Sequence, residues 1–154
     1  MRVLILSCLA VLSAACTTMP SNAPGYAPAP SATPGASNVY IYRLNAPPLM
    51  HNPTIVVDGV AVIDPPEKSY TVIQLPPGAH EVQVNWSWLA GWPSLKFSID
   101  VAPAEPYYLK VSGSSAFSNG GLNMESNAGH IELAAAEAEL AQCCRYIPPR
   151  KAKK

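Results

Sequence analysis

The sequence predicts an all-β fold, an antiparallel β-sandwich of about seven or eight short strands followed by a short C-terminal helix. The first observation is the alternation of apolar and polar residues along residues 80–88 and 95–101, which is typical of strands with one buried face. The second is that turn signals containing Pro or Gly recur about every ten residues. The third is a stretch rich in alanine, glutamate and leucine at residues 134–142, which favours a helix.

Turn signals separate the predicted strands. A β-branched and aromatic run, Val-Tyr-Ile-Tyr-Arg, opens the sheet. Asp58-Gly59 is the signal for a tight hairpin, and Pro76-Pro77-Gly78 is a turn that precedes the strand with the clearest alternation. The predicted strands are residues 39–43, 54–57, 60–63, 69–75, 80–88, 95–101 and 107–111.

The chain beyond residue 111 is predicted to be less regular. Residues 112–121 are rich in glycine and serine around Phe117 and are predicted to form a loop, with a short strand at residues 122–125. The helical stretch that follows is expected to lie on the sandwich, and residues 143–147 are compatible with a last extended segment. The apolar face of this helix consists of Leu133, Ala136, Leu140 and Cys144.

The first fifteen residues are typical of a signal peptide. Arg2 precedes an uncharged, mostly apolar run at residues 3–15, which is too short to span a bilayer as a helix. The run ends Leu-Ser-Ala-Ala-Cys, which resembles the lipobox of bacterial lipoproteins. That resemblance implies cleavage before Cys16 and acylation of its thiol and amine, and Thr17 in place of an aspartate implies export to the outer membrane. An ordinary secretory signal with an incidental cysteine is the alternative.

A segment rich in proline and alanine follows the lipobox cysteine. Residues 17–37 contain five prolines and no charged residue, so they cannot bury enough apolar surface to fold by themselves. Residues 16–37 are therefore predicted to be a lipidated cysteine and a disordered linker. In extended polyproline conformation, at ~3.1 Å per residue, the linker would hold the domain at most about 65 Å from the membrane.

The charge distribution gives no electrostatic case for binding nucleic acid. The 154 residues include ten acidic and ten basic side chains, so the formal net charge is zero. All ten acidic residues but only five basic ones lie at residues 38–147, the predicted sandwich domain, which therefore carries −5. Residues 148–154 form a basic tail that is predicted to be disordered.

Cys143 and Cys144 are adjacent, and an oxidising compartment favours their pairing with some thiol. Neighbouring Cα atoms are ~3.8 Å apart, below the usual 4.4–6.8 Å, so a bridge between them is expected to be strained and to be a candidate redox switch. Structural burial of free thiols and a bridge between two copies of the chain are the alternatives.

The tryptophans are the candidate contact residues. Trp86 and Trp88 are expected to cap the core, and Trp92 lies at the tip of a predicted hairpin before Pro93. An exposed ring at this tip would suit stacking on a sugar, a protein contact or lipid, and the alternative is a tip that folds back onto the domain. Trp88 and Trp92 are therefore the candidate contact surface.

No cofactor, metal site or catalytic constellation is predicted. His51, His80 and His130 have no metal-ligand spacing, and His80, on the apolar side of its strand, is expected to be a hydrogen-bonded structural histidine. The sequence contains no nucleophile elbow, phosphate loop or acid pair. The scattered carboxylates are interpreted as solvated surface groups.

An ordered set of elements at residues 39–111 resembles a family of uncharacterised bacterial lipoproteins, one of the domains of unknown function. The set comprises the opening Tyr-Ile-Tyr-Arg strand, the Val-Asp-Gly hairpin, the Leu-Pro-Pro-Gly-Ala-His turn and the late Tyr-Tyr-Leu-Lys-Val strand. The hairpin and the turn are also similar to those of the small β-sandwich modules called PEGA domains. The resemblance implies a β-sandwich on the periplasmic side of a membrane and transfers no catalytic residue.

Three functions follow as expectations, in decreasing order of support. The first is a lipoprotein anchored through Cys16, in a bacterial envelope and facing the periplasm, whose sandwich binds an envelope partner or has a structural role without catalysing a reaction. The second is a glycan-binding module for peptidoglycan or exopolysaccharide that uses Trp92 and neighbouring tyrosines. The third is an enzyme.

Overall fold

The computed structural model describes residues 19–118 and 120–151, which form two β-sheets and one short helix. The predicted β-rich class with a short C-terminal helix is confirmed, although the described residues contain nine strands rather than seven or eight. A single turn of 3-10 helix, Trp88–Ala90, lies between the fifth and sixth strands. The elements are β1 (Ser37–Arg43), β2 (Thr54–Val57), β3 (Val60–Ile63), β4 (Ser69–Leu75), β5 (Gly78–Asn85), β6 (Leu95–Val101), β7 (Tyr107–Ser118), β8 (Gly121–His130), α1 (Leu133–Cys143) and β9 (Arg145–Tyr146).

The two sheets differ in strand direction. The smaller sheet has the order β3-β2-β5-β6 and is antiparallel throughout. The larger sheet has the order β8-β7-β1-β4-β9, in which β1 runs parallel to β7 and β4 runs parallel to β9. The prediction of a purely antiparallel arrangement is therefore wrong for these two pairs. Alternation along a strand indicates which face is buried, but it carries no information about the direction of the neighbouring strand.

One buried apolar cluster receives side chains from both sheets. Val82 and Val84 of β5 are fully buried, as the alternation along that strand predicts. Burial of each such side chain stabilises the folded state by about 1.5–3 kcal/mol relative to leaving it exposed to water. The cluster also contains Val39, Ile41, Leu109 and Val111 from the larger sheet and Ile55, Val57, Ile63, Ile99 and Val101 from the smaller one.

A second cluster lies on the opposite face of the larger sheet and is built from tyrosines. Tyr40, Tyr42, Tyr70 and Tyr108 are almost fully buried there, with Ala136, Leu140 and Cys144 packed in the same cluster. The prediction that α1 lies on the sheet is confirmed by these contacts. The predicted face is wrong at Leu133, which remains half exposed at the first turn.

A carboxylate on α1 fixes the helix to this face. Glu139 accepts hydrogen bonds of 2.6 Å from the Tyr42 hydroxyl and from Lys110 Nζ. Burial alone would raise the pKa of the Glu139 carboxyl, but the hydrogen bonds from Lys110 and Tyr42 outweigh it and lower that pKa. The carboxylate therefore stays ionised and holds α1 against β1 and β7.

The chain before β1 packs on the tyrosine cluster. Ala27 N donates to the Tyr70 hydroxyl at 3.3 Å, Ala29 N donates to the Tyr40 hydroxyl at 2.8 Å, and Tyr26 joins the cluster. Arg145 donates to Ala23 O at 2.8 Å and Thr33 N donates to Gln74 Oε1 at 3.3 Å, so the prediction of a disordered linker is wrong for residues 23–33. The prediction of disorder considered only the small apolar surface of this segment. The segment is instead ordered by its backbone N–H groups, which donate hydrogen bonds to the hydroxyls of buried tyrosines. Residues 1–18, which include the predicted signal peptide and Cys16, lie outside the described residues.

Strands β7 and β8 pair along their whole length, from Leu109 opposite His130 to Ser118 opposite Gly121. The prediction of a loop over residues 112–121 and of a strand limited to residues 122–125 is therefore wrong. Gly and Ser have low strand propensity, but a continuous partner strand supplies the ladder hydrogen bonds that override it.

The start of the C-terminal tail is also ordered. Arg150 N donates to Val62 O at 2.7 Å, and the Arg150 guanidinium contacts Asp64. The prediction of a disordered tail is therefore wrong at Arg150, where one basic residue is neutralised by a carboxylate. Residues 152–154 lie outside the described residues.

Candidate functional site

Three connections meet at one end of the two sheets, which we call the apolar end. They are residues 44–53 between β1 and β2, residues 86–94 between β5 and β6, and the outer half of the β7–β8 hairpin. Trp92 Nε1 donates to Ser114 O at 3.3 Å, which joins the second connection to the hairpin. Pro47 O of the first connection also lies against Gly113 of this hairpin, so the three connections form one surface.

A buried arginine organises this end. The Arg43 side chain is fully buried and donates to His51 O at 2.9 Å, to Ala46 O at 3.2 Å and to Pro65 O at 3.3 Å. Burial lowers the pKa of its guanidinium, although the nearby Glu67 opposes this. Because these carbonyls belong to two connections, one side chain holds both in place.

The three tryptophans occupy different environments. Trp86 is buried in the core with its ring 5.2 Å from the Arg43 guanidinium carbon, as a cation–π contact requires, so its predicted capping role is confirmed. Trp88 was expected to cap the core with it, and this is wrong because 87% of Trp88 is exposed. The 3-10 turn that begins at Trp88 directs this side chain away from the core.

Trp92, predicted at the hairpin tip, folds back onto the domain. Its ring packs against the core cluster and lies against Gly113 of β7, where a Cβ atom would approach Trp92 Nε1 and Pro47 O to 2.7 Å. Only glycine leaves room for this ring. Of the two predicted contact residues, Trp88 is therefore the one that presents its ring to solvent.

Other exposed apolar side chains accompany Trp88 at this end. Phe117 is 85% exposed on the β7–β8 hairpin, where it lies opposite Leu122. No sequence signal singled these residues out, because the hairpin was predicted to be a loop. The exposed large apolar side chains at the apolar end are Leu49, Met50, Trp88, Leu89, Phe117 and Leu122.

The sulfur atoms of Cys143 and Cys144 are bonded to each other, and the two Cα atoms are 3.7 Å apart. The pair lies where α1 ends and β9 begins, with Cys144 buried in the tyrosine cluster. Its position is therefore at the junction of two elements that cover the larger sheet. The cysteine pair is remote in sequence from the apolar end, and among the described residues it forms no hydrogen bond with a tryptophan.

His80 joins two turns at the opposite end of the molecule. Its Nδ1 lies 2.7 Å from Asp58 Oδ2 and its Nε2 lies 2.8 Å from Pro76 O, which confirms the predicted hydrogen-bonded structural histidine. Burial alone would lower the pKa of the imidazole, but the hydrogen bonds to Asp58 and Pro76 outweigh it and raise that pKa. Both ring nitrogens face acceptors, so neither is available as a catalytic base.

An open groove of about 590 Å³ lies on the tyrosine side of the molecule. It is lined by the segment before β1, the connection between β6 and β7, Tyr40, Tyr108 and Glu137. Tyr40 and Tyr108 stack on each other with ring centroids 4.6 Å apart, so one face of each ring is already covered. These tyrosines therefore offer a sugar little stacking surface.

The described residues contain no group of three His, Cys, Asp or Glu side chains that could hold a metal ion. Over the same part of the chain, no helix combines the length and the hydropathy needed to cross a membrane. The groups with the clearest geometry, Arg43 and His80, both have structural partners.

Comparisons of this chain with protein-family models, with curated proteins and with solved structures gave no match.

Proposed function

We propose that this chain is a lipid-anchored bacterial envelope protein whose β-rich domain faces the periplasm and acts as a non-enzymatic binding or structural module. The observation that carries the proposal is the lipobox-like Leu-Ser-Ala-Ala-Cys that closes a signal-peptide-like run. Two or three acyl chains on Cys16 anchor a protein stably, because each buried methylene contributes about 0.8 kcal/mol. Thr17 supports sorting to the outer membrane.

We also infer that the domain is a β-sandwich. One buried cluster contains side chains of β1 and β7 from the larger sheet and of β2, β5 and β6 from the smaller one. Two sheets that share a core in this way pack face to face about 10 Å apart. The tyrosine cluster with α1 then forms a further layer on the outside of the larger sheet.

Replacement of the anchor residue tests the first proposal. In a Gram-negative host, the wild-type chain is expected in the membrane fraction, in a form that incorporates labelled fatty acid. The Cys16→Ser chain is expected to incorporate no labelled fatty acid. A Cys8→Ser chain is the matched control and is expected to behave like the wild type. Labelling of the Cys16→Ser chain at the wild-type level would refute lipidation at Cys16.

A glycan-binding module is the second candidate, and the exposed ring of Trp88 is the observation in its favour. The other aromatic rings on which the glycan-binding hypothesis depended are less accessible, because the tyrosines are buried and Trp92 is partly buried. If the glycan reading holds, purified peptidoglycan retains the wild-type chain and loses the Trp88→Ala chain. Equal retention of both would reject a role for this ring.

A further inference from the structure

We propose that the apolar end is a membrane-docking surface, which inserts exposed side chains into the interfacial region of the bilayer that holds Cys16. The proposal rests on the lipid anchor proposed above and specifies its geometry: the domain lies on the membrane instead of standing off it. The occupant is a phospholipid surface. A protein partner and a second copy of the chain are alternative occupants that the experiment separates.

Exposed apolar side chains are concentrated at the apolar end. The described residues contain eight large apolar side chains that are exposed, and six of them belong to the three connections of the apolar end. The other two, Val60 and Leu133, are isolated elsewhere. A soluble surface rarely groups such side chains, so the grouping marks a contact surface.

The apolar side chains of the hairpin share one of its faces. Phe117 and Leu122 are directly opposite each other in the β7–β8 ladder, and Met124 follows two residues after Leu122, about 7 Å further along the strand on the same face. A Cβ at Gly91 would lie 3.1 Å from Met124 Cε, so the connection that bears Trp88 rests on this face. The apolar side chains are therefore continuous from the 3-10 turn to the hairpin tip.

The three connections of the apolar end lack formal charge. Residues 44–53, 86–95 and 112–124 contain no Asp, Glu, Lys or Arg. A charged side chain is costly at membrane depth, whereas Trp, Phe and Leu are favoured at the interface. The neighbouring connection between β3 and β4 does carry charge, at Asp64, Glu67 and Lys68. Asp64 is paired with Arg150, and Glu67 accepts a hydrogen bond from Met50 N at 3.0 Å, so this connection marks the charged border of the apolar end.

The chain that follows Cys16 joins the domain beside the apolar end. Ala23 O accepts a hydrogen bond of 2.8 Å from Arg145, and Arg145 is in register with Ser69 of β4. Ser69 pairs with Arg43, the last residue of β1, from which the apolar end begins. Seven residue steps separate Cys16 from Ala23 and span at most about 25 Å. A lipid on Cys16 therefore holds this end of the sheets close to the headgroups.

The short tether and the projecting side chains favour a bilayer over a protein as the occupant. The short tether brings the apolar end to the membrane at high effective concentration before any diffusing partner arrives. The surface is also a set of separate projecting side chains on three connections rather than a single groove. Such projections suit insertion between lipid headgroups.

Vesicle binding of the unlipidated chain tests the proposal. The chain from residue 16 carrying Cys16→Ser is mixed with vesicles of phosphatidylethanolamine and phosphatidylglycerol. Tryptophan fluorescence reports insertion, because Trp88 is largely exposed whereas Trp86 is buried and Trp92 packs against the core cluster. We expect a blue shift of the emission and quenching by brominated acyl chains. Leu89→Ser with Phe117→Ser, which keeps Trp88, is expected to weaken partitioning at least about tenfold, because two apolar side chains then lose their burial.

Val60→Ser is the matched control, since Val60 is an exposed apolar residue outside the apolar end. It is expected to partition like the parent chain, and circular dichroism with thermal unfolding verifies that each variant is folded. Absence of a vesicle-dependent shift, or equal partitioning of the Leu89→Ser/Phe117→Ser and Val60→Ser chains, overturns the proposal. A second outcome also overturns the proposal: the parent chain does not bind vesicles but self-associates in sedimentation, and only the Leu89→Ser/Phe117→Ser change abolishes this self-association. That outcome assigns the surface to a second copy of the chain.

The outcomes are distinct from those for the anchor. Vesicle binding is measured without lipid on residue 16, so it fails or succeeds independently of acylation. A chain that is acylated at Cys16 in cells but whose unlipidated form ignores vesicles keeps the proposed function and loses the docking surface. A chain that binds vesicles but is not acylated keeps the surface and loses the anchor.

Discussion

His80 acts as a pH-sensitive connection between two turns. Its two ring nitrogens face a carboxylate and a carbonyl, both of which accept hydrogen bonds, so the doubly protonated imidazolium satisfies both partners. The Asp58 carboxylate also accepts from Glu81 N at 2.9 Å. The hydrogen bond from His80 lowers the pKa of the Asp58 carboxyl, and the bond from Glu81 N adds to the effect. The pair is thus ionised on both sides at mildly acidic pH.

The pH dependence of unfolding is expected to reveal this pair. The raised pKa of His80 contributes stability that is fully present below its unfolded value of about 6.5 and is lost as pH rises through the folded value. The lowered pKa of Asp58 contributes stability that is present above about pH 4 and is lost as pH falls through the folded value. Urea unfolding of the wild type is therefore expected to show lower stability at pH 8.5 than at pH 5.5.

The His80→Gln chain is expected to lose most of this difference between the two pH values. His130→Gln is the control, because His130 is exposed and its neighbour Glu132 is almost fully exposed. If wild type and His80→Gln lose stability equally between pH 5.5 and 8.5, the imidazolium does not hold the two turns together.

Arg43 shows where residue-level prediction from the sequence fails. It was expected only as the last residue of an opening strand, and an arginine is seldom buried without partners. Its partners are backbone carbonyls of the connections after β1 and β3. Since every residue type carries the same carbonyl group, a sequence pattern holds no signal for such a site.

At the scale of elements, the hairpin β7–β8 depends on a close approach. Gly113 lets the Trp92 ring and the Pro47 carbonyl lie against the strand, which brings two connections onto the hairpin. The sequence shows the glycine but not the ring that crosses it, because the two are far apart along the chain.

Gly113→Ala is expected to lower the free energy of unfolding by about 1–3 kcal/mol, because the new methyl group overlaps backbone and ring atoms. The near-ultraviolet circular dichroism of Trp92 is expected to change as the ring is displaced. Chemical unfolding measures the first effect. Gly129→Ala is the control in the same hairpin, since a Cβ there meets nothing within 4 Å. Equal stability of the two alanine variants would contradict the close approach.

The elements themselves differ in how well the sequence predicts them. The bounds of β2, β3, β4 and β6 match the predicted strands, because apolar alternation and turn residues agree in each. The segment before β1 and the outer hairpin were mispredicted, because their residues have weak propensities and their order comes from contacts with distant elements. Local patterns report local preferences, and these two segments are held by tertiary contacts.

At the scale of the whole molecule, the order of strands could not be predicted from residue patterns. The placement of β1 between β4 and β7 depends on how the chain crosses between sheets. That placement puts the connections after β1 and β5 beside the β7–β8 hairpin and so assembles the apolar end. Of the predicted contact residues, Trp88 and Trp92 both lie there, but the apolar neighbours that make it a surface come from a segment predicted to be a loop.

The packed segment before β1 also has a mechanical meaning. Any tension between an anchor at Cys16 and the domain enters the fold at the edge of the larger sheet, through the bridge between Gly25 and Arg145. The next contacts in its path are the hydroxyls of Tyr70 and Tyr40, so force loads them one after another rather than together. Peeling residues 23–36 would release about 45 Å of slack while β1 stays paired. In a chain anchored as proposed, the segment would be a reserve of length that tension draws out before the load reaches the core.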